Sequence, residues 1–335
     1  MDGQRILLAH GGGGRAARDL LEEVIVPIFD NRCLELMEDS SPLPETSSRM
    51  AMTTDSYVVR PLFFPGGDIG KLAVCGTVND LATAGAKPVA LSVGLVIEEG
   101  FLLEDLKRVL HSMKETADSV PVPLITGDTK VVEKGKGDGI YISTAGIGCI
   151  PEGVQLSPKR VESGDVVLVN GPIGNHEAAI LCARESFSME AQVHSDCAPL
   201  HRLMDVILAH VPEIRCARDA TRGGLAAVLT EIVESSGFGV RLDEECIPVE
   251  IAVQGLCEML GMDPLFLANE GKMVVVVPEN RAADCLLAMR SVPGSERSAI
   301  IGNVHRENAR LTLKTPYGTS RIITLPVGAQ LPRIC

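Results

Sequence analysis

Apolar residues recur along the 335-residue chain with two periods. Short apolar runs bounded by Gly, Pro, Asp or Asn predict strands at 5–9, 50–54, 89–97, 124–127, 140–147, 165–169, 214–217, 272–277 and 299–304. Between them, apolar positions three and four apart predict helices over 16–29, 69–84, 102–119, 197–210, 219–236, 248–260 and 281–290, with a short one ending at 182. Elements mixed in this way describe an α+β chain whose second half is βαβ-like. A polar stretch with Pro and Gly at 151–164 separates the halves and predicts two domains, 1–155 and 156–320, followed by a tail, 321–335. In the tail, Pro326, Gly328 and Pro332 among Ile322, Ile323 and Leu325 favour extended backbone over helix. Ten extended residues span about 33–36 Å. That reach is enough to swing the last residue, Cys335, between an internal site and a partner's surface; taken alone, Cys335 is better explained as an incidental thiol on a frayed end.

One predicted helix breaks its own pattern. In the run VCGTVNDLATAGA at 74–86, Asn79 and Asp80 interrupt apolar positions. A carboxylate in such surroundings is costly unless it is paired or bound to metal. Asp55 and Asp128 stand at strand ends, and with Asp80 they form a set that can hold Mg²⁺, which takes oxygen ligands and shares them with phosphates. Singly, each is as well explained as an N-cap or turn residue. Two glycine-containing helix starts suit an anion: 10–15, with Gly11, Gly12 and Gly13, and 219–225, opening on Asp219. No Walker A lysine and no G-x-G-x-x-G follows the first, so P-loop and Rossmann assignments fail, and four glycines equally make a flexible turn.

Composition narrows the partners. A net charge of −13 argues against nucleic acid and anionic membrane, and means that a polyphosphate needs cations and backbone N–H groups close by. Trp is absent and aromatics make up 3% of the chain, which leaves little for base stacking. The ten cysteines form no C-x-x-C pair and sit mostly in apolar runs, as reduced, buried thiols of a cytoplasmic protein do. The apolar run at 6–9 is far too short for a signal peptide, and none approaches transmembrane length.

Several stretches fit one known pattern together: HGGGGR at 10–15, TTDSYVV at 53–59, GDIGKLAVCGTVNDLATAGAKPVALS at 67–92, TGDTKVV at 126–132, RDATRGGLA at 218–226 and the closing PRIC. Over essentially the whole chain they resemble the HypE family of hydrogenase maturation proteins. The middle motifs are shared with aminoimidazole ribonucleotide synthetase, selenophosphate synthetase and thiamine-monophosphate kinase, so they mark an ATP-using fold and not the reaction; PRIC is specific to HypE. The resemblance implies a two-domain, synthetase-like α+β fold: an N-terminal mixed sheet that pairs across a homodimer, a C-terminal α+β sandwich-like domain, and an extended C-terminal tail. It also implies ATP-dependent dehydration of an S-carbamoyl group on Cys335 to a thiocyanate. A HypF-like carbamoyltransferase would supply the carbamoyl group, and the cyanide would pass to iron on a HypC–HypD-like complex, for NiFe hydrogenase. In that family the segment at 174–177 reads Gly-Asp-His-Gly; here it is Gly174-Asn175-His176-Glu177, which leaves Glu177 as the substitute for a carboxylate at 175.

Such a dehydration turns the carbamoyl oxygen into a phosphate leaving group and needs a base for the nitrogen protons. Under the resemblance, Asp55, Asp80 and Asp128 hold Mg²⁺ on the phosphates of ATP, and Gly11, Gly12, Gly13, Asn79, Thr129 and Asp219 complete the nucleotide site. Lys130 orients the carbamoyl group or acts as base, and Glu270, ahead of an apolar strand, accepts the proton. Without the resemblance, Lys130 is equally a solvated strand residue and Glu270 a turn or pairing carboxylate. Two other classes stay open: a synthetase or kinase of the same superfamily acting on a free small molecule, and a non-enzymatic docking protein switched by nucleotide. The lack of Cys at 10–15 counts against selenophosphate synthetase.

Overall fold

A computed structural model of the chain describes residues 15–20, 22, 41–42, 49–185, 193–325 and 333–335. The N-terminal part comprises α1 (Arg15–Leu20), β1 (Ser41–Pro42), β2 (Met50–Tyr57), β3 (Phe63–Phe64), β4 (Gly67–Asp68), α2 (Ile69–Thr83), β5 (Lys87–Glu98), α3 (Leu103–Ser119), β6 (Leu124–Val132) and β7 (Ile140–Cys149). Its main sheet has the order β1-β2-β7-β5-β6, with β5 and β6 parallel and the other neighbours antiparallel. Helix α2 is apolar all round and accordingly buried on nearly every side, against β2, β7 and α3. Asp68 starts it, its carboxylate accepting from Gly70 N (2.7 Å) and Lys71 N (3.0 Å). Gly76 admits a neighbour: a Cβ there would lie 2.2 Å from the Tyr57 hydroxyl.

The second part comprises β8 (Val166–Val169), α4 (Asn175–Glu185), α5 (His201–His210), β9 (Cys216–Asp219), α6 (Gly224–Ser236), β10 (Gly239–Asp243), α7 (Ile251–Leu260), β11 (Met273–Val277), α8 (Ala282–Arg290), β12 (Ala299–His305), β13 (Leu311–Lys314) and β14 (Ser320–Ile322). They form a seven-stranded sheet, β14-β13-β10-β12-β8-β11-β9. The unbroken apolar runs of β8 and β11 follow from helices on both faces. Val167, Val169, Val274 and Val276 face α6, whereas Val166, Leu168, Met273 and Val275 face α5 and α8. Each such buried side chain contributes about 1.5–3 kcal/mol of transfer free energy. The expected βαβ unit is split: β11 and β12 flank β8, each antiparallel to it, with α8 connecting them.

Two helices, α5 and α6, begin four and five residues later than their apolar spacing predicts. Residues 197–200 stay outside the helix, where Asn79 binds Ala198 O and Leu200 N, and α6 waits for a left-handed Gly223. The short strands β10, β13 and β14 are absent from the sequence-based elements, since three to five residues give too little alternation to stand out. Among the described residues all nine cysteines are free thiols, and no helix is long and apolar enough to cross a membrane.

Candidate active site

Residues 333–335 return to the N-terminal part and close its core. Ile334 and Cys335 pack with Tyr57, Val59 and Leu72 and with Ile180, Cys197 and Ala268 from the second part, leaving Cys335 8% exposed. The backbone grips them at alternate positions: Val58 N donates to Cys335 O (3.2 Å) and Arg60 N to Arg333 O (3.1 Å). From α4, His176 Nε2 donates to Ile334 O (2.6 Å), while its Nδ1 accepts from Ser195 Oγ (2.8 Å). Burial holds the His176 pKa below its usual value, so the ring is neutral and this tautomer follows from the carbonyl it must serve. Arg184 binds Arg333 O and Arg60 O, and the Arg333 guanidinium pairs with Asp138. These contacts hold Arg333 in a left-handed conformation, φ 61°.

The Cys335 sulfur then lies beside Arg222 and Glu270. Arg222 Nε is 2.8 Å from Sγ, and Nη2 of the same guanidinium is 2.7 Å from the Cys335 main-chain oxygen. Gly223 and Gly224, both left-handed, turn the chain from Arg222 into α6; a Cβ on Gly224 would meet Leu267 O at 2.5 Å. The buried Glu270 carboxyl is the other ionisable group that acts on the thiol. Its main chain is clamped, N donating to Asp196 Oδ1 (3.2 Å) and O accepting from Asn79 Nδ2 (3.3 Å). Glu270 Oε1 is buried without a hydrogen-bond partner. Burial first, then Asp55, Asp196 and Asp219, push the Glu270 pKa well above the carboxylate range. Burial likewise raises the Cys335 thiol, against the pull of Arg222.

Two further acids, Asp55 and Asp80, act on the same Tyr57 that packs with Cys335. Thr53 Oγ1 donates to Asp80 Oδ2 at 2.6 Å. Asp55 touches solvent, yet protein crowds it enough that desolvation raises its pKa despite the bond from Ser56 N and the charge of Arg222. Buried Tyr57 is pushed up by desolvation and by Asp55, Asp80 and Glu270, so these four acids share one field. The arrangement suits a group carried on sulfur that must lose protons beside a solvent-facing pair of carboxylates.

Residues 37–150 match the N-terminal domain of AIR synthase related protein, and 162–314 its C-terminal domain. The carbamoyl dehydratase HypE of Rhodobacter capsulatus is 48% identical over 335 residues, 99% of this chain and 98% of that protein. Among solved structures, a HypE–HypF complex is similar at 47% identity and a TM-score of 0.88, over 92% of this chain and 99% of that one. A HypE structure in complex with ATP is similar at 41% identity and a TM-score of 0.83, over 99% and 100%. The chain belongs to the HypE family.

In this HypE-family chain the expected site residues divide. Cys335, Glu270, Asp55 and Asp80 come together, with Asp219 at the end of β9 acting on Glu270 through its charge. Asp128 does not join them: it lies on edge strand β6, three strand spacings or about 14 Å from Asp55 across the sheet. There Asp128 binds Thr129 N and pairs with Lys130 in solvent, so neither Lys130 nor Thr129 reaches Cys335 of its own chain. Among the described residues no three His, Cys, Asp or Glu side chains cluster to hold a metal. Asn79, expected at the nucleotide, spends its amide on Ala198 O, Glu270 O and Leu200 N, tying α2 to the second part of the chain. Gly11, Gly12 and Gly13 fall outside the described residues. Sequence reasoning missed Arg222, His176 and Tyr57; only the Arg-Gly-Gly start of α6 carried a signal.

Glu177 is not a stand-in for a carboxylate at 175. Its Oε2 accepts from Ala268 N at 2.7 Å, and burial raises its pKa from 4.5 to about 7. The fold thus favours protonated Glu177: this contribution is fully present below pH 4.5 and is lost as pH rises through about 7. Glu177→Gln keeps the acceptor without a charge to bury. The variant is expected to match the wild type in stability near the acid end and to exceed it by about 3 kcal/mol above pH 7, as read from denaturant midpoints. A constant difference across that range would contradict the assignment.

Proposed function

We propose that this chain is an ATP-dependent carbamoyl dehydratase acting on its own Cys335, converting an S-carbamoyl group to a thiocyanate that supplies cyanide for NiFe hydrogenase assembly. The observation that carries this is the docked sulfur beside Glu270, whose second oxygen is buried and has no partner. Once ionised, a carboxylate so placed can take a proton from nitrogen on the carried group. The Cys335 pKa, raised by burial, fits a sulfur that serves as carrier and not as nucleophile in the docked state.

ATP binding follows from the family and from the relative solved with ATP. Asp55 and Asp80, with phosphate oxygens completing the set, fit Mg²⁺, which commonly takes one or two carboxylates and shares phosphate. Bound there, Mg²⁺ would neutralise phosphate charge during transfer. A HypF-like carbamoyltransferase is the donor partner, in keeping with the relative solved as a HypE–HypF complex. A HypC–HypD-like complex is the acceptor, and the cytoplasm is the location. Strand β6 leaves its edge, with Ile125 and Val131, exposed, which favours a homodimer paired through the N-terminal sheets. In that dimer, Asp128 and Lys130 would serve the site of the second copy.

The test incubates the chain with a HypF-like partner, carbamoyl phosphate, ATP and Mg²⁺, and reads the intact mass. Replacement of one hydrogen by a cyano group at Cys335 is expected, with the carbamoyl form accumulating when a chelator removes the metal. An unmodified Cys335 under conditions that consume ATP would favour a reaction on a free small molecule.

A further inference from the structure

Arg222 touches the sulfur that bears the reacting group. Its Nε lies 2.8 Å from Cys335 Sγ, and Nη2 anchors the same guanidinium on the Cys335 main-chain oxygen at 2.7 Å. The two left-handed glycines that follow fix the approach, because a side chain at Gly224 would strike the Leu267 carbonyl. The buried Glu270 carboxyl also acts on the sulfur, and its Oε1 has no hydrogen-bond partner. The sulfur therefore neighbours a group that only donates and a group that, once ionised, only accepts.

A carbamoyl group on sulfur is planar, with an acceptor oxygen at one corner and an NH₂ donor at the other. Once carbamoylated, the sulfur is no longer a thiol, and the carbonyl oxygen one bond beyond it becomes the best acceptor near Nε. Two planar orientations are open. With the oxygen toward Arg222, the NH₂ faces Glu270 and both flanking groups are satisfied. The flipped orientation sets N–H against N–H and oxygen against carboxylate in a buried site, leaving polar groups on both sides unpaired. On the dehydratase reading above, we propose that Arg222 is a catalytic residue that sets this orientation: Nε–H donates to the carbamoyl oxygen and so delivers the NH₂ to Glu270.

The chemistry then balances. The carbamoyl oxygen attacks the γ-phosphorus and ADP departs. The C–O bond breaks with the oxygen leaving as part of phosphate, the first N–H proton passes to ionised Glu270 and the second to the departing phosphate, and the C≡N bond forms. Throughout, the fixed cation lies beside the oxygen on which phosphate charge collects.

The experiment compares wild type, Arg222→Lys and Arg222→Met, each carbamoylated with ¹³C-labelled carbamoyl phosphate and given ATP and Mg²⁺ in a single turnover. Conversion to thiocyanate is followed by mass, and the labelled C=O stretch is recorded by infrared before ATP is added. Alkylation of Cys335 in the uncarbamoylated chain reports docking, so that a lost fold or a released tail is recognised. Arg222→Lys is expected to keep Cys335 protected, to bind ATP as the wild type does, and to convert about 10²–10³-fold more slowly. Its C=O band moves to higher frequency as the hydrogen bond is lost. Arg222→Met is expected to share the band shift and also to expose the thiol. Wild-type conversion in either variant overturns the proposal, as does slow conversion with an unmoved C=O band, which would mark Arg222 as a brace for the tail alone. No thiocyanate in the wild type would instead sink the dehydratase reading, and this assignment with it.

Discussion

Replacing Cys335 by serine is expected to abolish thiocyanate formation and to leave ATP binding unchanged. The contacts that dock residues 333–335 run through main-chain oxygens, from Val58, Arg60, His176 and Arg222, and none of these needs the sulfur. A serine hydroxyl can also accept from Arg222, so docking should survive the change. What disappears is the atom on which the group travels. Isothermal titration with ATP and intact-mass analysis after carbamoylation measure the two halves of this expectation. Loss of ATP binding would mean that the arm is part of the nucleotide site and not a carrier that enters it.

Glu270→Gln carries the second large effect. The base disappears while shape and one acceptor remain, so the carbamoyl form should accumulate and its conversion slow by about 10²–10⁴-fold. The pH dependence has a definite sign. A base must be ionised, and burial together with Asp55, Asp196 and Asp219 moves the Glu270 titration above the carboxylate range. Conversion by the wild type should therefore rise with pH through that elevated pKa, and the Gln variant should lose the rise. Stability supplies a control. A carboxyl whose pKa the fold raises costs the fold when it ionises, so Glu270→Gln should be no less stable than wild type at neutral pH. Wild-type turnover in a stable variant would remove Glu270 from the mechanism.

The sequence displayed its α+β class because β8 and β11, covered on both faces, carry unbroken apolar runs that helices around them do not. Asp80 and Glu270 were legible for the same reason, each being an acid in apolar surroundings. Asn79 was not, although it adjoins Asp80. Neighbours on a helix point about 100° apart, and here one faces Thr53 while the other faces the backbone of 198–200. Asp128 and Lys130 sit in a motif that reads like Asp55's, yet strand order, which no local pattern encodes, sends them to the sheet edge. Arg222 was hidden by its glycines. The run promised an anion site, and only tertiary structure reveals that the arginine ahead of it reaches residue 335.

The docking of residues 333–335 through backbone oxygens has a consequence for traffic. A handful of hydrogen bonds, each with a net value of about 1 kcal/mol, together with the buried side chains of Ile334 and Cys335, opposes the roughly 1–2 kcal/mol per residue gained when ordered backbone is set free. The margin in favour of docking is only a few kcal/mol. Little work is then needed to empty it, and a partner that offers the last few residues a comparable set of donors can compete for them. A loaded arm differs from an unloaded one mainly at Arg222 and Glu270, and the chemical state of the cargo can thereby bias which surface holds the arm at each stage.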